Sequence, residues 1–277
     1  MKNRISQANL NPRHLEILEL ARRNGFLSTE ELSRLLKVTV QTIRRDINEL
    51  CEKRLLRRYH GGAGRIFSTE NVAYSTRQVL NHEAKIQIAK MAADFIPDNT
   101  SLFINIGTTT EEVAKALLDH KKLRVITNNL NVAGLLCGRT EFEVIVAGGV
   151  VRGDRGVIGE STIDFVRQFK VDYGIIGISG IDEDGALLDF DYREVRVAQA
   201  IIENARRTLL VADHTKFGCS PMVRLGHISE IDTFFTDRPP PESIQEILDK
   251  GGVALHVGHA EAGESGRQGS HSSAGSV

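Results

Sequence analysis

The chain has 277 residues, is 41 % hydrophobic and 26 % charged, and sets 35 Lys and Arg against 36 Asp and Glu for a formal net charge of −1. Those proportions exclude a wholly disordered chain and fit a globular one of roughly two domains. No stretch approaches the roughly 18 consecutive apolar residues that cross a bilayer, and Met1-Lys2-Asn3-Arg4 opens no secretory signal, so no membrane partner and a cytoplasmic location are expected.

The near-neutral total conceals a split. Residues 1–67 sum to +7 and the remainder to −8, the asymmetry expected when one end meets a polyanion. A solvated basic surface would give the same count, so the pattern within that end has to decide.

In chain order, the first predicted helix runs from about Pro12 to Asn24, with Gly25 as its stop. Ser28-x-x-Glu31 is a capping box that opens a second helix carrying Leu32, Leu35 and Leu36. Thr39 caps a third, from Val40 to about Lys53, in which Ile43, Ile47 and Leu50 repeat at i, i+4 and i+7. Gln41, Arg45 and Asn48 lie opposite that stripe, with Thr42 and Arg44 beside them. Leu55–Tyr59 and Ala63–Phe67 then flank His60-Gly61-Gly62 as a hairpin.

Two short helices, a third with polar donors outward, and a basic hairpin predict an α+β winged helix-turn-helix domain over residues 1–67. Arg donates two hydrogen bonds to guanine, and Gln or Asn pairs with adenine, in the major groove. Gln41, Arg45 and Asn48 are therefore expected to face bases, with Arg44 a further DNA-binding residue at the flank. Thr39, Thr42, Arg57, Arg58 and the amides of Gly61 and Gly62 are better placed for phosphates, which fix register without reading sequence, and His60 of the same turn joins the expected DNA-binding residues. Operator DNA is the expected partner.

Residues 68–80 read as a polar linker, and 81–258 as an α/β domain with a mostly parallel sheet. Its predicted helices are His82–Phe95, Thr110–Leu118, Leu130–Cys137, Ser161–Phe169, Tyr192–Ala205 and Glu242–Lys250. Its predicted strands are Ser101–Ile106, Leu123–Thr127, Phe142–Ala147, Val171–Ser179, Thr208–Ala212, Asp232–Thr236 and Val253–Val257. Residues 259–277 hold no Leu, Ile or aromatic and read as a disordered tail.

Ligands of open α/β sheets gather at the carboxyl ends of strands. Those ends hold Gly107-Thr108-Thr109-Thr110 at a helix start, Asn128-Asn129, Gly148-Gly149, Asp182 after Ser179-Gly180, and Lys216 in Asp213-His214-Thr215-Lys216. Backbone N–H groups, hydroxyls and one fixed cation suit an anion, and the whole set suits a small phosphorylated polyol. Taken singly, each segment also reads as an ordinary capped turn or loop. Gly174, Gly177 and Gly180 are not GxGxxG and precede no helix, so no dinucleotide cofactor is expected. Cys51, Cys137 and Cys219 form no CxxC pair, and no set of His and Cys has ligand spacing, so neither disulfides nor metal are expected. Cys51 and Cys137 read as small packing residues in helices, and Cys219 as an exposed loop thiol.

Thr39-Val40-Gln41-Thr42-Ile43-Arg44-Arg45-Asp46-Ile47, followed by Arg58-Tyr59-His60-Gly61-Gly62-Ala63, resembles the DNA-binding domain of DeoR-type bacterial repressors. The resemblance extends over nearly all of residues 10–257, through Asn105-Ile106-Gly107-Thr108-Thr109, Thr127-Asn128-Asn129-Leu130, Ala147-Gly148-Gly149, Gly177-Ile178-Ser179-Gly180-Ile181-Asp182 and Asp213-His214-Thr215-Lys216-Phe217-Gly218. It implies a sensor similar in fold to ribose-phosphate isomerases and CoA transferases, binding a phosphorylated metabolite that releases the protein from its operator. It also implies a homo-oligomer, a tetramer, and an Asp46 that faces the protein and orients neighbouring arginines. Within the family, Ile158–Phe165 and Asp189–Arg196 most resemble members that govern glycerol 3-phosphate metabolism, which makes glycerol 3-phosphate the favoured effector. Where many relatives carry Lys-Arg, this chain has Ala198-Gln199, leaving Arg193 and Arg196 as substitutes for any contact of that pair.

Two other classes of function stay open on the residues alone. One is a sugar-phosphate isomerase or transferase using Asp182, Glu194 and Lys216 as its acid and base. The other is a constitutive DNA-binding protein whose second domain only oligomerises.

Overall fold

The N-terminal unit keeps the predicted order of elements in this computed structural model, which describes residues 10–24, 26–53, 55–59, 61–64 and 74–258. Helices α1 (Pro12–Asn24), α2 (Thr29–Leu36) and α3 (Val40–Glu52) pack Ile17, Ala21, Leu32, Ile43, Ile47 and Leu50 into one buried cluster. The capping box forms as its spacing predicts. Ser28 Oγ accepts from Glu31 N at 3.1 Å, and the Glu31 carboxylate accepts from Ser28 N at 3.0 Å. Thr39 Oγ1 accepts from Thr42 N at 3.2 Å and so starts α3.

The wing differs from the predicted hairpin. A third strand, β1 (Phe26–Ser28), joins β2 (Arg57–Tyr59) and β3 (Gly62–Gly64) in the order β1-β3-β2. Three residues are too few for alternation to announce a strand. Gly62 consequently lies in the central strand, opposite both Ser28 and Tyr59, and is buried rather than presenting a free amide. Gly61 is exposed at φ 79°, and its carbonyl accepts from Thr29 N at 2.8 Å, which ties the wing to the start of α2. The expected stop at Gly25, the hairpin residues 65–67 and the tail 259–277 lie outside the described residues.

Part of the segment read as linker is helical, as α4 (Tyr74–Val79), and leads into α5 (His82–Phe95). Seven parallel strands follow: β4 (Ser101–Ile104), β5 (Arg124–Thr127), β6 (Glu143–Val146), β9 (Val171–Ile176), β12 (Ala205–Val211), β14 (Thr233–Thr236) and β15 (Ala254–Val257). They lie in the order β15-β14-β12-β9-β4-β5-β6. Helices α6 (Thr108–Ala116) and α7 (Leu130–Leu136) join α5 on one face, where Ile88, Val113, Val132 and Leu136 share a core with Leu102 and Ile175. Helices α8 (Glu160–Val166), α9 (Tyr192–Glu203) and α10 (Glu242–Gly251) cover the other, with Ile163, Val195, Ile201 and Leu248 packed on Phe103 and Phe234.

Two minor pieces were not legible from alternation. The ribbon of β7 (Val150–Val151) and β8 (Val157–Ile158) and the antiparallel sheet of β10 (Gly180–Ile181), β11 (Ala186–Asp189) and β13 (Val223–His227) rest on short strands. Among the described residues no helix is long and apolar enough to cross a membrane.

The strand order locates the ligand crevice. From β4 the chain winds outward through β5 and β6, then returns to lay β9 against the opposite side of β4. The winding reverses between β4 and β9, so the loops after these two strands diverge and open a gap at their carboxyl ends.

Candidate functional site

On the N-terminal unit, α3 turns Gln41, Arg44, Arg45 and Asn48 to solvent, and Thr42 is half-buried at the edge of that face. The Arg45 side chain is 84 % exposed, with Glu49 3.6 Å away. Long donors on one rigid helix face, unburdened by burial, are what a major groove accepts. Thr39 and Thr42 hydroxyls sit 2.9 Å apart at the helix start, where first-turn amides favour an anion. Arg58 is exposed on β2, while His60 and the side chain of Arg57 lie outside the described residues. Asp46, expected to face the protein and orient neighbouring arginines, is buried and takes Arg13 and His14 of α1.

The gap between β4 and β9 holds a small inner recess of about 90 Å³ that continues into an open outer one of about 700 Å³. Arg77, Asp189, Phe190 and Glu194 line both. Gly107, Thr108 and Thr109 form one wall of the inner recess, at the start of α6, where Gly107 supplies no side-chain cap. Gly177, Ile178 and Ser179 form the opposite wall, after β9. Lys216 and Asp213 enter from the turn after β12, and Lys85 from α5.

The electrostatics of the recess follow from burial. Lys85 is 4 % exposed and donates to the Arg77 carbonyl. Its burial, reinforced by the Lys216 charge, pushes its pKa down to about 8. Burial also opposes ionisation of Asp213, but the Lys216 charge and a hydrogen bond from Thr215 outweigh it and hold that carboxylate low. Asp189 accepts from Ser179 Oγ at 2.9 Å and Phe190 N at 2.7 Å, yet burial still raises its pKa. Burial and the nearby Asp189 charge push Glu194 up to about 7, against the pull of Arg152. Arg152 gathers Asp154, Asp191 at 3.2 Å and Glu194 at 2.7 Å in the outer recess.

The predicted effector residues divide. Gly107, Thr108, Thr109 and Lys216 meet at the inner recess. Thr110 turns away, its Oγ1 donating to the carbonyls of Asn105 and Gly107 at 2.8 Å each. Asn128 and Asn129 bind protein: Asn128 Nδ2 donates to Val157 O at 3.0 Å, and Asn129 caps α7 and donates to Glu111. Gly148 and Gly149 do not line the recess. A Cβ at Gly149, φ 153°, would fall 2.3 Å from Thr162 Oγ1, so this glycine serves close packing. Asp182 stands in the hairpin between β10 and β11, bonded to Glu183 N and Ser220 Oγ. The substitutes for the Lys-Arg pair also point elsewhere, Arg193 to Asp191 and Arg196 to Glu160. Gln199 donates to Leu225 O at 2.8 Å, and Ala198 is buried. Cys137 is exposed despite its place beside a helix, and Cys219 lines the recess.

Arg77 and Lys85 were not singled out from the sequence, Ser179, Asp189 and Asp213 stood only within longer motifs, and Glu194 was named as a catalytic candidate and not as a ligand contact. Lys85 carried a signal: it shares a helical stripe with Ile88, Ala89 and Ala92, and a cation on an otherwise buried stripe is seldom there for solvation. Asp189, closing the apolar run Ala186-Leu187-Leu188, carried a similar one.

Comparison with known proteins bears on both units. Residues 13–69 match a DeoR-like helix-turn-helix domain, and residues 80–238 a DeoR C terminal sensor domain. The chain is 50 % identical over 246 residues to a glycerol-3-phosphate regulon repressor of Escherichia coli, covering 88 % of this chain and 98 % of that one. It is 53 % identical over 236 residues to the protein of the same name from Haemophilus influenzae, covering 85 % and 92 %. The HTH-type transcriptional repressor CsqR of Escherichia coli is 43 % identical over 253 residues, covering 91 % and 97 %. Among solved structures, ribose 5 phosphate isomerase A from Neisseria gonorrhoeae aligns with TM-score 0.36 and 16 % identity over 48 % of this chain and 52 % of that one.

Proposed function

Because the chain belongs to the DeoR family and is a DNA-binding transcriptional repressor of the kind found in glycerol-3-phosphate regulons, we propose that glycerol 3-phosphate is the molecule that releases it. The family is regulatory, so the recess is read as a sensor and not as an active site.

One observation carries the choice of ligand. Lys85, Lys216 and Arg77 face the same small recess as the Thr108 and Thr109 hydroxyls and the carboxylates of Asp189 and Glu194. Cations and helix-start amides take a phosphate, and carboxylates accept from the hydroxyls of a polyol. Glycerol 3-phosphate has both ends and little else. The outer recess supports a second reading, a larger sugar phosphate whose carbon chain extends toward Arg152.

At the other end, Gln41, Arg44, Arg45 and Asn48 read bases, and Thr39, Thr42, Arg57, Arg58, His60 and the Gly61 amide hold phosphates. Paired copies bring two α3 helices to half-sites about 34–36 Å apart, or a multiple of that spacing, so the working form is a homo-oligomer, a tetramer by family likeness, acting in the cytoplasm. Release follows if effector binds the DNA-incompetent arrangement more tightly, by about 1–3 kcal/mol per site.

The test is operator-fragment binding at fixed salt, titrated with glycerol 3-phosphate, glycerol, inorganic phosphate and several hexose phosphates. Release by glycerol 3-phosphate at the lowest concentration is expected. Release by a hexose phosphate alone would move the assignment to the larger ligand, and release by none would leave a constitutive binder.

A further inference from the structure

The cations that face the inner recess also hold α4, the helix nearest the DNA-binding unit in the chain. Lys85 donates to the backbone carbonyl of Arg77, and the Arg77 guanidinium reaches Asp154 at 3.4 Å, a long contact for a charged pair. Both side chains line the recess. The rest of the segment is tied to the sensor by polar contacts: Tyr74 Oη donates to Glu111 at 2.7 Å and accepts from Asn131, and Asn81 Nδ2 donates to Asp213 at 3.1 Å. Val79 is 74 % exposed, so α4 has little apolar burial to keep it seated.

An anion in the recess therefore competes with the helix for its own tethers. A phosphate within reach of Lys85 and Arg77 brings full negative charge to both, where Lys85 now meets a neutral carbonyl and Arg77 a carboxylate 3.4 Å away. Resting on the reading of the recess as the effector site, we propose that α4 is the transmission element. Effector phosphate draws Lys85 from the Arg77 carbonyl and Arg77 from Asp154, and the loosened helix releases the docking geometry of the unit that precedes it. Arg77 and Lys85 are then coupling residues as well as ligand contacts, and Tyr74 is the latch that sets how much ligand is needed.

Hydrogen–deuterium exchange on the full chain, alone, with glycerol 3-phosphate and with inorganic phosphate, separates the two levels of the reading. The expected result is slower exchange over residues 107–111 together with faster exchange over residues 74–80. Slower exchange at 107–111 with unchanged or slower exchange at 74–80 would overturn the role of α4 while leaving the effector site intact. No slowing at 107–111 with either compound would overturn the effector reading, and this inference with it. As a second measurement, Tyr74→Phe removes the latch hydrogen bonds and keeps the ring. It is expected to lower the effector concentration for half-release several-fold, and an unchanged or higher concentration would count against the latch.

Discussion

Arg13 of α1 holds Asp46 of α3 through two guanidinium nitrogens, Nε to Oδ2 at 2.5 Å and Nη2 to Oδ1 at 3.0 Å. His14 adds a third contact at 3.2 Å. Burial works against ionisation of Asp46, but these partners outweigh it and keep the carboxylate below its ordinary range. A charge buried within the recognition helix is thus spent on fixing that helix against α1.

Asp46→Asn should lower the stability of the N-terminal unit by about 1–2 kcal/mol, the lower part of the range for charged hydrogen bonds because Arg13 is partly exposed. A depressed folded pKa gives stability that is complete above the ordinary carboxylate value and lost as pH falls through the folded one. The gap in Tm between the two proteins should therefore close in acid. A gap that persists unchanged at pH 2 would mean the pair contributes through packing rather than charge.

Arg45→Ala should weaken operator binding by about 1–3 kcal/mol and relax preference at one base position. Arg58→Ala should weaken operator and random DNA alike and reduce the salt slope by about one. Gel-shift or anisotropy titrations at several salt concentrations check both. Equal losses on both DNAs for Arg45→Ala would make it a phosphate contact.

Lys216→Ala should leave operator affinity intact and raise the effector concentration for half-release by about tenfold, the scale of one charge-assisted hydrogen bond. Thr109→Ala should act in the same direction and more weakly. If neither variant shifts half-release, the phosphate does not sit at the start of α6.

Effector response should weaken as pH rises from 6.5 to 9. Lys85, with a pKa of about 8, loses positive charge across this range, and Glu194, at about 7, gains negative charge. Both changes disfavour an anion in the recess. Half-release concentrations measured at intervals of half a pH unit should climb across this range, and Glu194→Gln should flatten the lower part of the rise. A flat profile for the wild-type protein would place the phosphate away from both groups.

Gly149→Ala should destabilise the sensor by about 1–3 kcal/mol, because its Cβ would meet Thr162 Oγ1 at 2.3 Å and the Ile158 carbonyl at 2.8 Å. Thermal unfolding of the variant checks this. An altered effector response at unchanged stability would return Gly149 to the ligand.

The fold was legible where burial imposes a period. The Ile43, Ile47, Leu50 stripe and the apolar strands of the parallel sheet follow from one buried face or two, and His82–Phe95 matches its predicted span. The lining of the recess was legible only where a residue type betrays its backbone, as in Gly107 followed by threonines. Asn128 and Asp182 have the same donor and acceptor chemistry as the residues that line the recess, and only the strand order and a hairpin turn decide that they face protein instead. Lys85 was hidden for the opposite reason. Its neighbours in sequence describe a helix, and its neighbours in space come from segments 77, 213 and 216.

The reversal of winding between β4 and β9 has a consequence for damage to the protein. The recess takes its walls from residues as early as Tyr59 of β2 and as late as Cys219, so nearly the whole sensor must be folded before any of it can recognise a ligand. The N-terminal unit has a separate core of its own. A lesion or a temperature that melts the sensor first would therefore dismantle the recess as a whole, from every wall at once, while leaving the core of the N-terminal unit packed.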